Sequence, residues 1–399
     1  MKLVAEMLDK EADKEFRRFL DATEQSKWEK KIAKLSALPK FPNPSPNVYL
    51  KYLASKNPFV EAIKKYLELK RNGQSVWKHL TPDLMQACGH AKAINGILRQ
   101  ATPTAVQKIK SMVLDDETVR SFLFELALAI NFFRLGYDVQ FIDLEDKGNY
   151  DLLVSDGTRE LEIECKTKSA DAGRKITRSN FYLLCDVLVA RLAASKQQIA
   201  LLLKSNGRLS GRQEFFERLA EEIKRCLNTG DENGQLESVE FRIVNLPETL
   251  RIRNDHEARV ALAPYWSPSA HYFVFSNSFT LIVGCESTEA DRVLKAISEE
   301  LKDGADQLSK TRPALMACFL EEIDDDAWSQ LISNSGLANM SYAFLASSDR
   351  THINFVAYSS DRTTPKQEGA IINFGATNLR FDNPSPKYPL SKSFFRPDS

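Results

Sequence analysis

The stretch SDGTRELEIECKTKSADAGRK, positions 155 to 175, constrains this chain more than any other. Along it Glu160, Glu162, Glu164, Lys166 and Lys168 alternate with Leu161, Ile163, Cys165 and Thr167. A period of two predicts a strand with one apolar face. The other face carries three carboxylates and then two ammonium groups. Carboxylates crowded onto one face repel, so the pattern calls for solvent, protons or a bound cation.

Just upstream, YDLLVS reads as a partner strand, and Asp156-Gly157 between the two reads as a two-residue type I′ turn. Both central residues of such a turn need positive φ. Counting from it sets Ser155 opposite Thr158, Leu153 opposite Glu160 and Asp151 opposite Glu162. Opposite residues share a sheet face, so Asp151 joins Glu162, Glu164 and Lys166, with Glu164 its diagonal neighbour. Two or three convergent carboxylates suit Mg²⁺, a hard cation that takes oxygen ligands and keeps several waters. A lysine two positions beyond the last carboxylate adds a charge that can hold or help deprotonate a water, or balance charge at phosphorus.

The surroundings predict an α/β region. LDDETVRSFLFELALAINFFRLGYDVQFIDL opens on carboxylates suited to a helix N-terminus, runs apolar for several turns and stops at Gly136. Glu125 interrupts its apolar run. Three strand-like segments follow, then a loop over 169–178, the helix SNFYLLCDVLVARLAAS, the strand QIALLLK, a loop, the helix RQEFFERLAEEIKRCL and the strand ESVEFRIVNL. A strand, helix, strand crossover is right-handed and makes its strands parallel. On that basis Lys168, Arg174, Lys175 and Arg178 in the first loop, and Lys204, Arg208 and Arg212 in the second, are expected at one sheet edge. That edge would lie beside the acidic cluster, where a phosphate backbone could cross.

Asp151, then Glu164-Cys165-Lys166, after a helix carrying an inward glutamate in FELALAINFFRLGYDV, resembles the PD-(D/E)XK nuclease superfamily. The resemblance covers about 115 to 205, and the order αβββαβ and the thirteen-residue step from Asp151 to Glu164 both match the family pattern. Tyr150 stands where the motif's name has proline, a position that tolerates variation. The resemblance implies a restriction-endonuclease-like mixed sheet flanked by helices. It implies Asp151 and Glu164 as metal ligands with the Cys165 carbonyl as a third, Lys166 as the catalytic lysine, and Glu125 as the helical glutamate that orients water or a second ion. The implied activity is a Mg²⁺-dependent nuclease, with Mn²⁺ as a substitute ion, most naturally a DNA endonuclease in restriction, repair or mobile-element defence. RNA stays open as a substrate, as do a homodimer and an activating partner protein. The rival expectation is a nucleic-acid-binding or scaffold protein that keeps the fold without catalysis.

Composition narrows the rest. Lys plus Arg and Asp plus Glu both number 54, so no net field draws nucleic acid or an anionic membrane, and any anion site must be local. The six cysteines, at 88, 165, 185, 226, 285 and 318, show neither CxxC pairs nor a ladder of short spacings, as expected of reduced thiols in cytoplasm. No apolar run suits a membrane span, the acid-rich opening is not a secretory signal, and no glycine motif for a nucleotide is present. Three regions are expected: helices over 1–110 with a Pro-rich linker at 38–47, the nuclease-like core over 111–249, and an α/β region over 250–399 that either continues the core sheet or forms a second domain. A helix is expected at DDAWSQLIS, with the carboxylates before it as a solvated cap.

Overall fold

The computed structural model describes residues 9–390 apart from 80, 170, 196–197, 248–251, 265, 267–269, 278, 322–327, 330, 332–334, 362–365, 369–370 and 374–375. Helices and strands form two mixed sheets, an α/β architecture. The chain divides into two units that cut across the expected boundaries near 110 and 250. The first comprises Met1–Ala33, Lys56–Ala172 and Val293–Ser399; the second comprises Lys34–Ser55 and Gly173–Arg292. The expected helix at DDAWSQLIS and its cap lie largely outside the described residues.

Helices open the chain: α1 (Asp9–Thr23), α2 (Gln25–Ser36), α3 (Val48–Ser55), α4 (Phe59–Arg71), α5 (Pro82–Leu98), α6 (Pro103–Leu114) and α7 (Val119–Arg134). Two of their starts follow one local rule. Thr81 and Thr102 accept hydrogen bonds from the third backbone N–H beyond them, and Pro82 and Pro103 fill the first helical position, where no N–H is needed. In the first unit the apolar face of α1 packs on α4, with Phe19 stacked on Phe59 at 4.7 Å. Helix α7 ends where Gly136 takes φ +88°.

The sheet of the first unit runs β1-β2-β3-β9-β10-β13. Strands β1 (Asp138–Phe141), β2 (Leu152–Ser155) and β3 (Glu160–Ser169) form an antiparallel meander. Strands β9 (Ala314–Glu321) and β10 (Ile353–Asp361) continue it in parallel, and β13 (Ala376–Asp382) closes it antiparallel. A separate hairpin joins β11 (Lys366–Glu368) to β12 (Ile371–Asn373). On one face Ala129 and Phe132 of α7 pack on Leu152, Val154, Leu161 and Ile163. On the other, Ile297 and Leu301 of α11 (Val293–Ala305) and Phe344 of α12 (Gly336–Leu345) cover Met316, Cys318, Val356 and Tyr358. Each such side chain contributes about 1.5–3 kcal/mol on burial.

In the second unit the sheet order is β5-β6-β4-β8-β7. Its strands are β4 (Ile199–Ser205), β5 (Asn233–Leu236), β6 (Val239–Asn245), β7 (His271–Ser276) and β8 (Thr280–Ser287). Helices α8 (Arg178–Leu192) and α9 (Gln213–Thr229) cover one face, and α10 (Asp255–Leu262) the other. Helix α8 buries residues all round because α3 also packs on it. Its buried Asp186 accepts hydrogen bonds from Ser45 Oγ (2.7 Å), Val48 N (3.0 Å) and Tyr49 N (2.8 Å). One carboxylate thus caps α3 and fixes the end of the Pro-rich stretch, where no regular element forms.

This topology corrects the expected crossover. Strand β4, which follows β3 and α8 in sequence, lies in the other sheet between β6 and β8. The parallel neighbour of β3 is β9. The region after 250 serves both sheets: β7 and β8 complete the second, while β9, β10 and β13 extend the first. Both QIALLLK and ALMACFLE are apolar on both faces, so either fits the interior of a mixed sheet, and periodicity does not rank them.

Candidate active site

The β2–β3 hairpin sets the site. Ser155 pairs with Glu160, Leu153 with Glu162 and Leu152 with Ile163, two residues away from the expected register. The turn closes with Asp156 N donating to Arg159 O at 3.2 Å, so its centre is Gly157-Thr158 and not Asp156-Gly157. Gly157 has φ +87°, and Asp156 is not in the left-handed region. A single glycine at the first central position fits a turn of the II′ kind. Asp156 is used differently: its Oδ1 accepts from Thr158 N (3.0 Å) and Arg159 N (2.8 Å). A shift of two leaves every side chain on its expected face. Asp151 therefore lies level with Glu164, and not with Glu162.

Strand β2 begins at Leu152, one residue short of that level. The Cys165 N–H points the same way as that of Ile163, towards where β2 would continue, and the Asp151 carboxylate fills the gap: Oδ2 accepts from Cys165 N at 2.6 Å. The Cys165 carbonyl faces the same edge, since a strand residue directs both backbone groups to one side. Its thiol is buried, and burial raises the thiol well above its ordinary pKa.

Two positions along the acidic face, Lys166 Nζ lies 2.7 Å from Glu164 Oε1. Gln307, with its amide oriented by the hydrogen-bond network, bridges this pair: Nε2 donates to Glu164 Oε1 at 2.6 Å, and Oε1 accepts from Lys166 Nζ at 3.1 Å. Gly304 lets α11 lie directly over them, because a Cβ there would stand 2.9 Å from Lys166 Cε and 3.1 Å from Glu164 Cγ. Glu125 belongs to the buried stripe of α7 with Phe122, Leu126, Ala129 and Phe132, so it faces inward. Its carboxylate accepts from Ser121 Oγ at 3.4 Å.

Burial, then repulsion from Asp151 and Glu164, raises Glu125 well above the usual carboxylate range. Burial pushes Asp151 up to about 6 against the Cys165 hydrogen bond. Glu164 rises to about 8 through burial and the Asp151 charge, with Lys166 working in the opposite direction. Burial disfavours the Lys166 charge, but Glu164 and Asp151 hold its pKa above the ordinary value. Asp143, in the loop between β1 and β2, raises all three carboxylates further. One lysine among these carboxylates leaves a buried negative cluster that needs protons or a cation.

The donor set is chemically suited to a hard dication: carboxylate oxygens made costly by mutual repulsion. As arranged, each has an internal partner, Cys165 N–H for Asp151, Lys166 and Gln307 for Glu164, and Ser121 for Glu125. Among the described residues, no three His, Cys, Asp or Glu side chains are gathered closely enough to hold an ion. Glu162 is occupied separately, by Ser309 N at 2.9 Å and Arg312 Nη1 at 3.2 Å, which removes it from the cluster.

The basic residues distribute differently from the expectation. Lys168 lies on β3 and pairs with Glu300 of α11. Arg174, Lys175, Arg178, Lys204, Arg208 and Arg212 belong to the second unit, and β4 does not bring them to the sheet that carries Asp151. They do assemble with one another, as Leu209 N donates to Lys175 O at 3.1 Å. Gln307, Gly304 and Asp143 escaped the sequence reading. The first two follow α11, whose place beside β3 no local pattern announces, and Asp143 sits in a loop without a motif.

Among the described residues no helix is long and apolar enough to cross a membrane. Comparison with models of known families, with curated proteins and with solved structures finds no match.

Proposed function

We propose that this chain is a Mg²⁺-dependent nuclease of the PD-(D/E)XK kind, hydrolysing phosphodiester bonds in DNA on a restriction-endonuclease-like core. One observation carries the reading. Buried Glu125 and Glu164 and half-buried Asp151 repel one another beside Lys166 on a framework of α7, β1, β2, β3, α11 and β9. That is the order helix, three strands, helix, strand, with Gly173–Arg292 inserted in sequence between β3 and α11. The closing helix and strand thus differ from those expected at 178–205, while the order itself is kept.

Asp151 and Glu164 would hold the ion, with the Cys165 carbonyl beside them. Bound there, Mg²⁺ or Mn²⁺ supplies positive charge to a phosphoryl oxygen and acidity to a water. Asp151 would exchange its Cys165 N–H for this role, and Glu164 would turn from Gln307. Lys166, kept charged by the carboxylates, would offer its ammonium to a phosphate oxygen or to the attacking water. Glu125 would orient that water or hold a second ion.

A second reading, a binding protein of the same fold without catalysis, is favoured by the internal partner each carboxylate already has. Incubation of the purified chain with supercoiled plasmid, linear duplex and single-stranded DNA, in Mg²⁺ or in EDTA, separates the two. Products in Mg²⁺ alone support the nuclease; intact substrates in both Mg²⁺ and Mn²⁺ overturn it.

A further inference from the structure

We propose that the end of the second unit where β4 and β8 finish docks the phosphate backbone of a nucleic acid, and that segment 286–291 restrains this surface by pairing three of its cations. The proposal rests on the reading of the chain as acting on a phosphodiester, and it concerns a surface separate from the carboxylate cluster.

Strands β4 and β8 are parallel and end together, with Ser205 beside Ser287. Three loops are tied to one another there. Leu209 N donates to Lys175 O at 3.1 Å, Thr288 N to Ser205 O at 2.9 Å and Arg292 N to Gly173 O at 2.7 Å. Asn180 Nδ2 adds a bond to Leu209 O at 3.0 Å, and Ser287 Oγ one to Gly207 O at 2.9 Å. This backbone network holds Arg174, Lys175, Arg178, Lys204, Arg208 and Arg212 at one end of the unit. Arg208 and Arg212 are exposed.

The sign of charge at this end is consistent. The unit carries 19 Lys and Arg against 15 Asp and Glu, so the positive excess hidden by the neutral whole chain lies here. Arg178 occupies the first turn of α8, which has no acidic residue there, so the helix dipole adds to the positive potential at this end. His271, opposite Cys285 at the same sheet end, registers the field: burial and then the charges of Arg174 and Arg178 lower its pKa to about 4.

The restraint comes from one short segment. Glu286 lies 3.7 Å from Lys204 Nζ, Glu289 pairs with Lys175, and Asp291 lies 3.6 Å from Arg174 Nη1. Each pair has one half-buried and one exposed member, so water reaches it and screens it, and phosphates can exchange for the carboxylates. The same cations then serve two sets of anions, and the internal set lowers affinity for any polyanion.

Fluorescence anisotropy of the full chain with a labelled duplex in EDTA, over a series of NaCl concentrations, tests this without cleavage. Arg178→Ala with Arg208→Ala should lower the slope of log K against log salt by about two units. Glu286→Gln with Glu289→Gln should tighten binding about fivefold at fixed salt, a gain that misfolding cannot produce. An unchanged slope overturns the surface, and unchanged or weaker binding by the glutamine variant overturns the restraint. Cleavage in Mg²⁺, scored separately, distinguishes this failure from failure of the nuclease reading.

Discussion

The Asp151 carboxylate stands in for a strand carbonyl: its Oδ2 accepts the Cys165 N–H at 2.6 Å, just beyond the start of β2. Asp151 therefore has a structural bond as well as a charge. Asp151→Asn keeps a carbonyl acceptor and removes the charge from a repelling cluster. We expect stability unchanged or raised and DNA cleavage lowered at least about a hundredfold. Asp151→Ala, which strands the N–H, should cost about 1 kcal/mol in urea denaturation.

Gln307 holds Lys166 and Glu164 together from a loop that no motif marks. Gln307→Ala should reduce kcat about tenfold with little change in KM, because it loosens the lysine and leaves the proposed phosphate-docking cations unchanged. Steady-state cleavage measures both parameters. A change confined to KM would assign Gln307 to binding.

Gly304 is the point where α11 approaches the Glu164-Lys166 pair. A Cβ there meets Met316 Cε at 2.5 Å and Lys166 Cε at 2.9 Å, both flexible ends, but also Glu164 Cγ at 3.1 Å, close to its backbone. For Gly304→Ala, overpacking and the helix propensity gained should nearly cancel, leaving stability within about 1 kcal/mol of the parent. Cleavage should fall all the same, because the pair is displaced. Thermal melting and a cleavage assay together check both parts.

Much of this site is legible in the sequence for a definite reason. The alternation along β3 and the apolar stripe of α7 are local patterns, and centring the turn one residue later moves the register by two, an even number that keeps the paired side chains of β2 and β3 on their expected faces. The neighbour of β3 was not legible. Its pairing with β9 spans a long inserted segment, and the nearby apolar strand β4 offered itself first. Glu125 was recognisable as a candidate, but its facing depended on how α7 lies against the sheet. Gln307 and Gly304 became visible only once α11 was seen over the acidic face.

The raised carboxylates give the fold a pH dependence. Glu164 titrates near 8 in the folded chain against an ordinary 4.5, and Asp151 near 6 against 3.8. Between those limits the folded state binds more protons than the unfolded one, so stability falls as pH rises. The contribution is fully present below about pH 4 and lost by about pH 8. In EDTA the melting temperature should decline from pH 5 to pH 8, and Glu164→Gln should flatten that decline. A wild-type profile that is flat or rising over this window would contradict the buried cluster.

We propose that Asp151, Glu164 and Lys166 together form a working phosphodiesterase site. Nicking of supercoiled plasmid by the parent chain, Glu164→Gln and Lys166→Met, run side by side in Mg²⁺ and in EDTA with circular dichroism on each, tests it most directly. We expect nicking by the parent in Mg²⁺ only, and at least about a hundredfold loss in both variants with the fold retained. Equal nicking by the variants, or nicking that persists in EDTA, would contradict it.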